Sequence, residues 1–371
     1  MKSPSVFGVF AAASFAFLTS SAHAAWYITD LNLPIFSSSG AYDINDNGQI
    51  TGGVSQGPGG SPFLYDNGAL TLLDPSNITY GAGVSINDSG QIVGRTQSYG
   101  GYLYSNGSFT PLPGLSGTDN APYSINNLGQ VVGSSGTSPY LYQNGSIQSI
   151  GGISGAWRGT ASSINDNGVI VGYSEMQGGG TSSFIYSNGQ LTDIGKLGTA
   201  DTYANAVNNA GQIVGYAFLN PGTAQSVPHA FTYNNGQMTD LGTNFSLGSY
   251  AQDINNRGQI IGTNELPGDQ VTSWLYSAGS FIDLGSLPEV VAAGWKDLQA
   301  FAINNNGDIV GEGITNTGFH AFVLSPNHPF ASSTLVALGG HVAPEIDGDN
   351  AMLGIALLGG LLAFMRPKKS A

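Results

Sequence analysis

SINDNGVIVGYSE, residues 163–175, crowds a carboxylate and amides around a glycine and then runs into a short apolar stretch. Its opening looks like a calcium loop, but near-copies of it recur along the chain. They are AYDINDNGQITG (41–52), GVSINDSGQIVG (83–94), PYSINNLGQVVG (122–133), ASSINDNGVIVG (161–172), ANAVNNAGQIVG (204–215), AQDINNRGQIIG (251–262) and AFAINNNGDIVG (300–311). The apolar residue before the first asparagine falls at Ile44, Ile86, Ile125, Ile164, Val207, Ile254 and Ile303, in steps of 42, 39, 39, 43, 47 and 49. That period suits a four-stranded propeller blade and is too long for a leucine-rich or hexapeptide solenoid.

A second piece follows each copy: FLYDNG (63), YLYSNG (102), YLYQNG (140), FIYSNG (184), FTYNNG (231) and WLYSAG (274). Each leads into a short apolar run such as QLTDIG (190–195). The unit therefore reads strand a, tight turn, strand b, long loop, strand c, Asn-Gly turn, strand d, with strands rich in Ile, Val, Tyr and Phe. No stretch of the mature domain reads as a long amphipathic helix. The predicted fold is all-β: a single seven-bladed β-propeller of four-stranded antiparallel blades.

The seventh unit has strand c, HAFVLSP (320–326), without the following turn and strand d. WYITDLN (26–32) matches QLTDIGK (190–196), so the N-terminal strand is predicted to close the ring beside the last blade. Closure of this kind removes two exposed sheet edges. STLVALGG (333–340) is the rival filler.

The repeat resists a metal-site reading. Asp43, Asn45, Asn47 and Gly48 fit D-x-[DN]-x-[DN]-G, but Val54 stands where a calcium loop needs its bidentate glutamate. Other copies place Ser163, Ala206 or Ala302 first and Leu128 or Arg257 third. What recurs is Asn45 with its six equivalents, and Gly48 with its own, three residues later. Asparagine bonds the backbone two residues on, and glycine supplies positive φ, so both read as turn residues. Asp166 reads as merely exposed. A second glycine, Gly52 and its equivalents, ends strand b in every copy, as at a bulge or a close approach between blades.

The chain opens MKSPSVFGVFAAASFAFLTSSAHAA: one lysine, an apolar run and an Ala-His-Ala site, a secretory signal cut after Ala24. With no cysteine, the exported domain must be held by its core alone. From Ala25 to Pro344 there are five basic and twenty acidic residues, a net of −15, which sets nucleic acid aside as a partner. At the other end, Ala351 to Met365 is uncharged for fifteen residues and is followed by Arg366, Lys368 and Lys369. Fifteen helical residues reach roughly 22 Å, short for a bilayer core of about 30 Å, which fits transient inner-membrane contact. The expected organisation is signal peptide 1–24, propeller 25–326, linker 327–343 and sorting tail 344–371.

Two resemblances follow from these residues. The tail, with Pro344, Glu345, the apolar run and the basic cluster, resembles the PEP-CTERM sorting signals of Gram-negative bacteria, with Ile346 in place of a second proline. That implies signal peptidase and an exosortase-like enzyme as processing partners, and a cell-surface or extracellular destination. Over residues 26–325 the chain resembles HAF-type extracellular repeat proteins, through His229-Ala230-Phe231, His320-Ala321-Phe322 and NNGQMTDLGT (234–243). It implies secretion and a repeat fold, with no activity or ligand attached.

Turns a–b and c–d are short and fall at one end of the barrel of blades, so the long b–c and d–a connections share the other end. That variable face is the place for selective binding. Candidate ligand-binding residues there are Trp157, Arg158, Trp295, Lys296, Tyr80, Tyr99 and Tyr203, aromatics beside charges suited to stacking on sugar rings. Plugging of loop bases is the competing role for the two tryptophans. His229 and His320 start equivalent strands and read as structural. No Ser nucleophile motif, phosphate loop, zinc pair or cofactor motif is present. The expected function is a non-enzymatic surface or matrix module binding polysaccharide or a partner protein. Two alternatives stay open: a polysaccharide hydrolase or lyase using Glu175, Glu265, Asp269, Asp297 or Glu312, read as loop carboxylates, and a purely structural coat protein.

Overall fold

The computed structural model describes residues 25–336, apart from 33, 57–58, 74–80, 97–99, 118, 199–200, 220–225 and 243–246. The first strands of the seven units, Ser38–Ile44, Gly81–Ile86, Asn120–Ile125, Ala156–Ile164, Asp201–Val207, Gly248–Ile254 and Lys296–Ile303, define blades 1 to 7. Each touches the first strands of both neighbours, so together they form the inner ring, and strands b, c and d follow outward in antiparallel order. The protein is a seven-bladed β-propeller.

The apolar cores lie between blades: Val132 and Leu141 of blade 3, for example, pack with Ile164, Ile170 and Phe184 of blade 4. Six c–d hairpins turn through Asn67, Asn106, Asn144, Asn188, Asn235 and Ala278 at φ of 48° to 51°, each followed by a positive-φ glycine. This is the left-handed pair that a two-residue hairpin needs to match strand twist.

Every inner strand carries one extra residue against strand b, between Ala41 and Asp43 in blade 1 and at the equivalent place in the other six. These β-bulges explain the second glycine. A Cβ on Gly172 would overlap the carbonyl oxygen of Thr160, and one on Gly311 that of Gln299. The bulge drives the inner-strand carbonyl into the space a side chain would need.

Tyr27–Asp30 pairs antiparallel with Gly318–Ser325, Asp30 opposite Phe322, and completes blade 7. The ring thus closes on its N-terminal strand. His320 fastens it: Nδ1 lies 2.7 Å from Asp30 Oδ2, and Nε2 takes the Asn32 amide at 3.2 Å. The same register holds His229 against Asp240 in blade 5 (3.0 Å), Ser182 against Asp193 in blade 4 and Thr272 against Asp283 in blade 6. The His of the repeat is therefore one of several donors serving the Asp of strand d.

The rival strand has another place. Thr334–Val336 pairs in parallel with Ala69–Leu72 and becomes a fifth strand on blade 1. On the way, Thr29 Oγ1 donates to Phe330 O, the Tyr65 hydroxyl to Ala331 O and Ser333 Oγ to Leu31 O. Residues 327–336, predicted as linker, instead strap the seam between blades 7 and 1. Among the described residues no helix is long and apolar enough to cross a membrane. The segments predicted as secretory signal and sorting tail, the latter with Pro344 and Glu345, lie outside the described residues.

Candidate functional site: the two ends of the axial channel

At the short-turn end the repeated asparagines form a closed hydrogen-bonded circle. Asn45 Nδ2 donates to Asn87 O, and Asn87, Asn126, Asn165, Asn208 and Asn255 each donate to the next blade in turn. Asn304 then returns to Asn45 O at 3.1 Å. Each Oδ1 also accepts backbone N–H groups two and four residues on, as Asn165 does from Asn167 and Val169. All seven are buried, so the turn amide is also what joins blade to blade.

The next residue makes a second circle. Asp46 N–H donates to Asp88 Oδ1, and the series runs through Asn127, Asp166, Asn209, Asn256 and Asn305 back to Asp46. Asp166 is thus not merely exposed: it accepts the Asn127 N–H and the Asn209 amide, both at 2.9 Å. Together the circles line an axial mouth of about 170 Å³.

Deeper in lies a third circle of acceptors for the N–H of Ile44 and its equivalents. Ser85, Ser124 and Ser163 each take the N–H of the following blade. Ala206 and Ala302 have no acceptor, and the residue next in the circle is then an aspartate. Asp253 accepts both Ile254 and Ile303, and Asp43 both Ile44 and Ile86, at 2.8 to 2.9 Å. Burial pushes the Asp43 carboxyl up to about 7, against the pull of those N–H bonds, with Asp253 adding repulsion; Asp253 is raised for the same first reason. Both belong to the wall and are already engaged.

The long-loop half is aromatic and unequal. Tyr173, Tyr203, Tyr216 and Tyr250 run across blades 4 to 6 at centroid distances of 5.1, 4.8 and 4.9 Å, with Tyr203 and Tyr216 stacked at 8°. The Tyr203 hydroxyl accepts Thr181 Oγ1, and burial raises all four tyrosines. Arg95 lies 6.0 Å from the ring of Tyr123, the extra residue of blade 3. Among the described residues no group of three or more His, Cys, Asp or Glu is disposed to hold a metal ion.

The predicted site residues separate. Trp157 is 50% exposed, on a second bulge at the outer tip of the longest inner strand. Arg158 beside it faces Glu175 at 3.9 Å. Trp295 is only 7% exposed: the short helix Pro288–Ala292 sets Leu287 and Val290 over it, and its ring meets Phe322 at 5.8 Å. Its place is a plug at a loop base, not a ligand platform. Lys296 is exposed, and Tyr203 is part of the tyrosine ladder. Tyr80 and Tyr99 lie outside the described residues. Of the proposed loop carboxylates, Glu175, Glu265, Asp297 and Glu312 stand on strands. Glu265 accepts the Tyr250 hydroxyl and Asp297 the Val271 N–H. Sequence reasoning passed over Tyr42, Tyr123 and Phe301, because nothing marks an extra bulge residue along the chain.

No family model matches the chain, and no curated protein matches it in sequence. Solved structures do. The β-propeller domain of the Trilobed protease from Pyrococcus furiosus matches with a TM-score of 0.53 at 11% identity, over 86% of this chain and 98% of that one. YCF48 bound to D1 peptide matches at 0.50 and 12%, over 81% and 95%. The extracellular domain of a hybrid two-component system from B. thetaiotaomicron matches at 0.51 and 14%, over 80% of this chain and 39% of that chain. A puromycin-hydrolyzing peptidase from Mycobacterium tuberculosis has 52% of its length covered. This chain therefore spans about two-fifths to one-half of those two proteins. At such identities the likeness establishes the propeller fold alone, a fold shared by proteins of different function.

Proposed function

We propose that the mature chain is an exported, non-enzymatic binding module of the cell surface or extracellular matrix that takes polysaccharide through its long-loop face. The observation that carries this reading is Trp157, half exposed on a raised strand tip, on the blade that also supplies Tyr173 to the buried tyrosine ladder. An exposed indole on a rigid strand offers a flat face for a sugar ring at little entropic cost. The secretory pattern before Ala24 and the HAF-like repeats support an extracellular setting. The tail around Pro344 and Glu345 serves, in this reading, as a sorting signal for an exosortase-like enzyme. The hydrolase alternative has less support because Glu175, Glu265 and Asp297 are already engaged by Arg158, the Tyr250 hydroxyl and the Val271 N–H, which leaves it resting on Asp269 and Glu312.

The test is glycan-array binding by the purified mature chain, with reducing-sugar release followed in parallel. Trp157→Ala is expected to weaken polysaccharide binding by about tenfold or more, while stability moves by less than about 0.5 kcal/mol, as for other surface changes. Undiminished binding by the variant would remove Trp157 from the site. Sugar release by the wild type would replace the module with an enzyme.

A further inference from the structure

Blade 5 departs from the repeat at a place that every other blade keeps apolar. The residue after the first aromatic of strand c is Leu64, Leu103, Leu141, Ile185, Leu275 and Val323 in the other six blades, and Thr232 in blade 5. In those six it joins the apolar core of a seam, as Leu141 does with Ile164 and Ile170. The core at the seam of blades 5 and 6, built on Val214, Ile254, Ile260 and Trp274, lacks that contribution. Blade 5 thus gives up apolar burial there and gains a hydroxyl.

At Thr232 the seam opens into a cleft of about 440 Å³, bounded by the c–d turn of blade 5 and the a–b turn of blade 6. Its volume falls within the roughly 300–1,000 Å³ of small-molecule pockets. One wall carries Gln212, Thr232, Asn234 and Gln237 of blade 5, the other Ile254, Ile260 and Tyr276 of blade 6, and every side chain lining it is uncharged. The amides of the first wall are spare. In blades 1 and 3 the glutamine after the turn glycine donates Nε2 to the residue before the c–d turn, Gln49 to Asp66 at 3.0 Å and Gln130 to Gln143 at 2.8 Å. Gln212 and Asn234 hold these places in blade 5, yet the Gln212 side chain bonds only inward, its Oε1 accepting Asn208 Nδ2 at 2.8 Å. Among the described residues, Gln212 Nε2 and the side chains of Thr232, Asn234 and Gln237 have no hydrogen-bond partner.

Hydroxyls and primary amides each donate and accept, so the blade 5 wall matches a ligand whose rim does the same. The tyrosine ring and two isoleucines opposite match C–H faces. A sugar ring combines the two. A charged ligand finds no opposite charge in the lining, and a lipid chain would desolvate the amides without pairing them. We propose that the cleft between blades 5 and 6 binds a neutral saccharide unit, its hydroxyls bonded by Gln212, Thr232, Asn234 and Gln237 and one ring face set against Tyr276. The site goes beyond the long-loop reading and does not rest on it, because the cleft belongs to the short-turn end and Trp157 to the opposite face.

Calorimetric titration of the Trp157→Ala mature chain isolates the cleft from the long-loop face. The probes are neutral hexasaccharides of glucose, galactose and mannose, a glucuronic acid hexamer, and a hexapeptide of serine and asparagine. At least one neutral hexasaccharide is expected to bind. Adding Thr232→Leu, which restores the residue type of the other blades and fills the cleft, is expected to weaken that binding by at least about tenfold, with a urea midpoint no lower than before. Asn234→Ala with Gln237→Ala leaves the cleft open and is expected to weaken binding by about threefold or more at an unchanged midpoint. Sugar binding that Thr232→Leu does not weaken, or that Trp157→Ala alone abolishes, overturns the cleft site and leaves the long-loop reading standing. Equal binding of the glucuronic acid hexamer overturns the neutral assignment, and binding of the hexapeptide alone, lost in Thr232→Leu, overturns the saccharide class. Absence of saccharide binding by the wild type overturns both readings.

Discussion

At the short-turn end each blade contributes the same asparagine to the same bonds, whereas at the long-loop end the connections differ in composition and range from two residues to twelve. The two ends are built on the same strands, so the difference lies in what each must satisfy. Seven buried N–H and C=O groups that must pair around a circle accept one solution, repeated. A solvent-facing rim carries no such obligation, and side chains there are free to differ. Cohesion is concentrated at one mouth, and Trp157, Arg158 and the tyrosine ladder distinguish the other.

The sharpest way to break this contrast is to delete one link of the asparagine circle. Asn165→Ala removes a donor to Asn208 O and the acceptor of two N–H groups, all buried or nearly so. A loss of about 2–4 kcal/mol is expected in urea unfolding, from several unsatisfied polar groups at once. Asn165→Asp is not expected to rescue it: the acceptors survive, but a carboxylate oxygen then opposes the Asn208 carbonyl. A cost near that of Trp157→Ala would show that the two ends share the stability evenly.

The third circle offers a finer test, because its alanines and aspartates are matched. In Asp43→Ser the hydroxyl can still take the Ile86 N–H, as Ser85 takes that of Ile125, but the Ile44 N–H loses its acceptor. The expected cost is about 1–3 kcal/mol. Adding Ala302→Ser restores a hydroxyl from the preceding blade, so the double variant is expected to recover most of the loss. Additive losses in the double-mutant cycle would show that the Ala-before-Asp order has no such role.

How far the chain discloses this depends on whether a feature is local. Asn-Gly hairpins are legible because a two-residue turn dictates φ at its own residues. Blade number and N-terminal closure followed from period and from the match of WYITDLN to QLTDIGK. The bulges left only an indirect trace: Tyr42, Val84, Tyr123, Ser162, Asn205, Gln252 and Phe301 share no chemistry, and only the glycine opposite them recurs. The Ala206–Asp253 and Ala302–Asp43 pairings appear only when the copies are placed in a circle, since Ala302 meets Asp43 across the closure. Trp157 and Trp295 each precede a basic residue and are alike in sequence. Their exposure was decided by a five-residue helix packing over one of them.

One hairpin departs from the uniformity of the short-turn end, and it gives the smallest and most specific test. Ala278 holds φ of 50° where Asn67, Asn106, Asn144, Asn188 and Asn235 stand in the other c–d turns. The left-handed region brings Cβ against the following carbonyl, costing roughly 1–2 kcal/mol for most residues and less for asparagine, whose side chain bonds locally. The tip is exposed and the following Gly279 has open space around it, so an asparagine fits without displacement. Ala278→Asn is therefore expected to stabilise the chain by about 0.5–1 kcal/mol, seen as a higher urea midpoint with an unchanged slope. Asn188→Ala in blade 4 is expected to cost a similar amount, since it recreates the strained turn on a blade that now lacks it. Opposite signs of comparable size would locate the effect in backbone conformation; a null result at both positions would mean that the c–d turns relax freely and do not share in the rigidity of the asparagine circle.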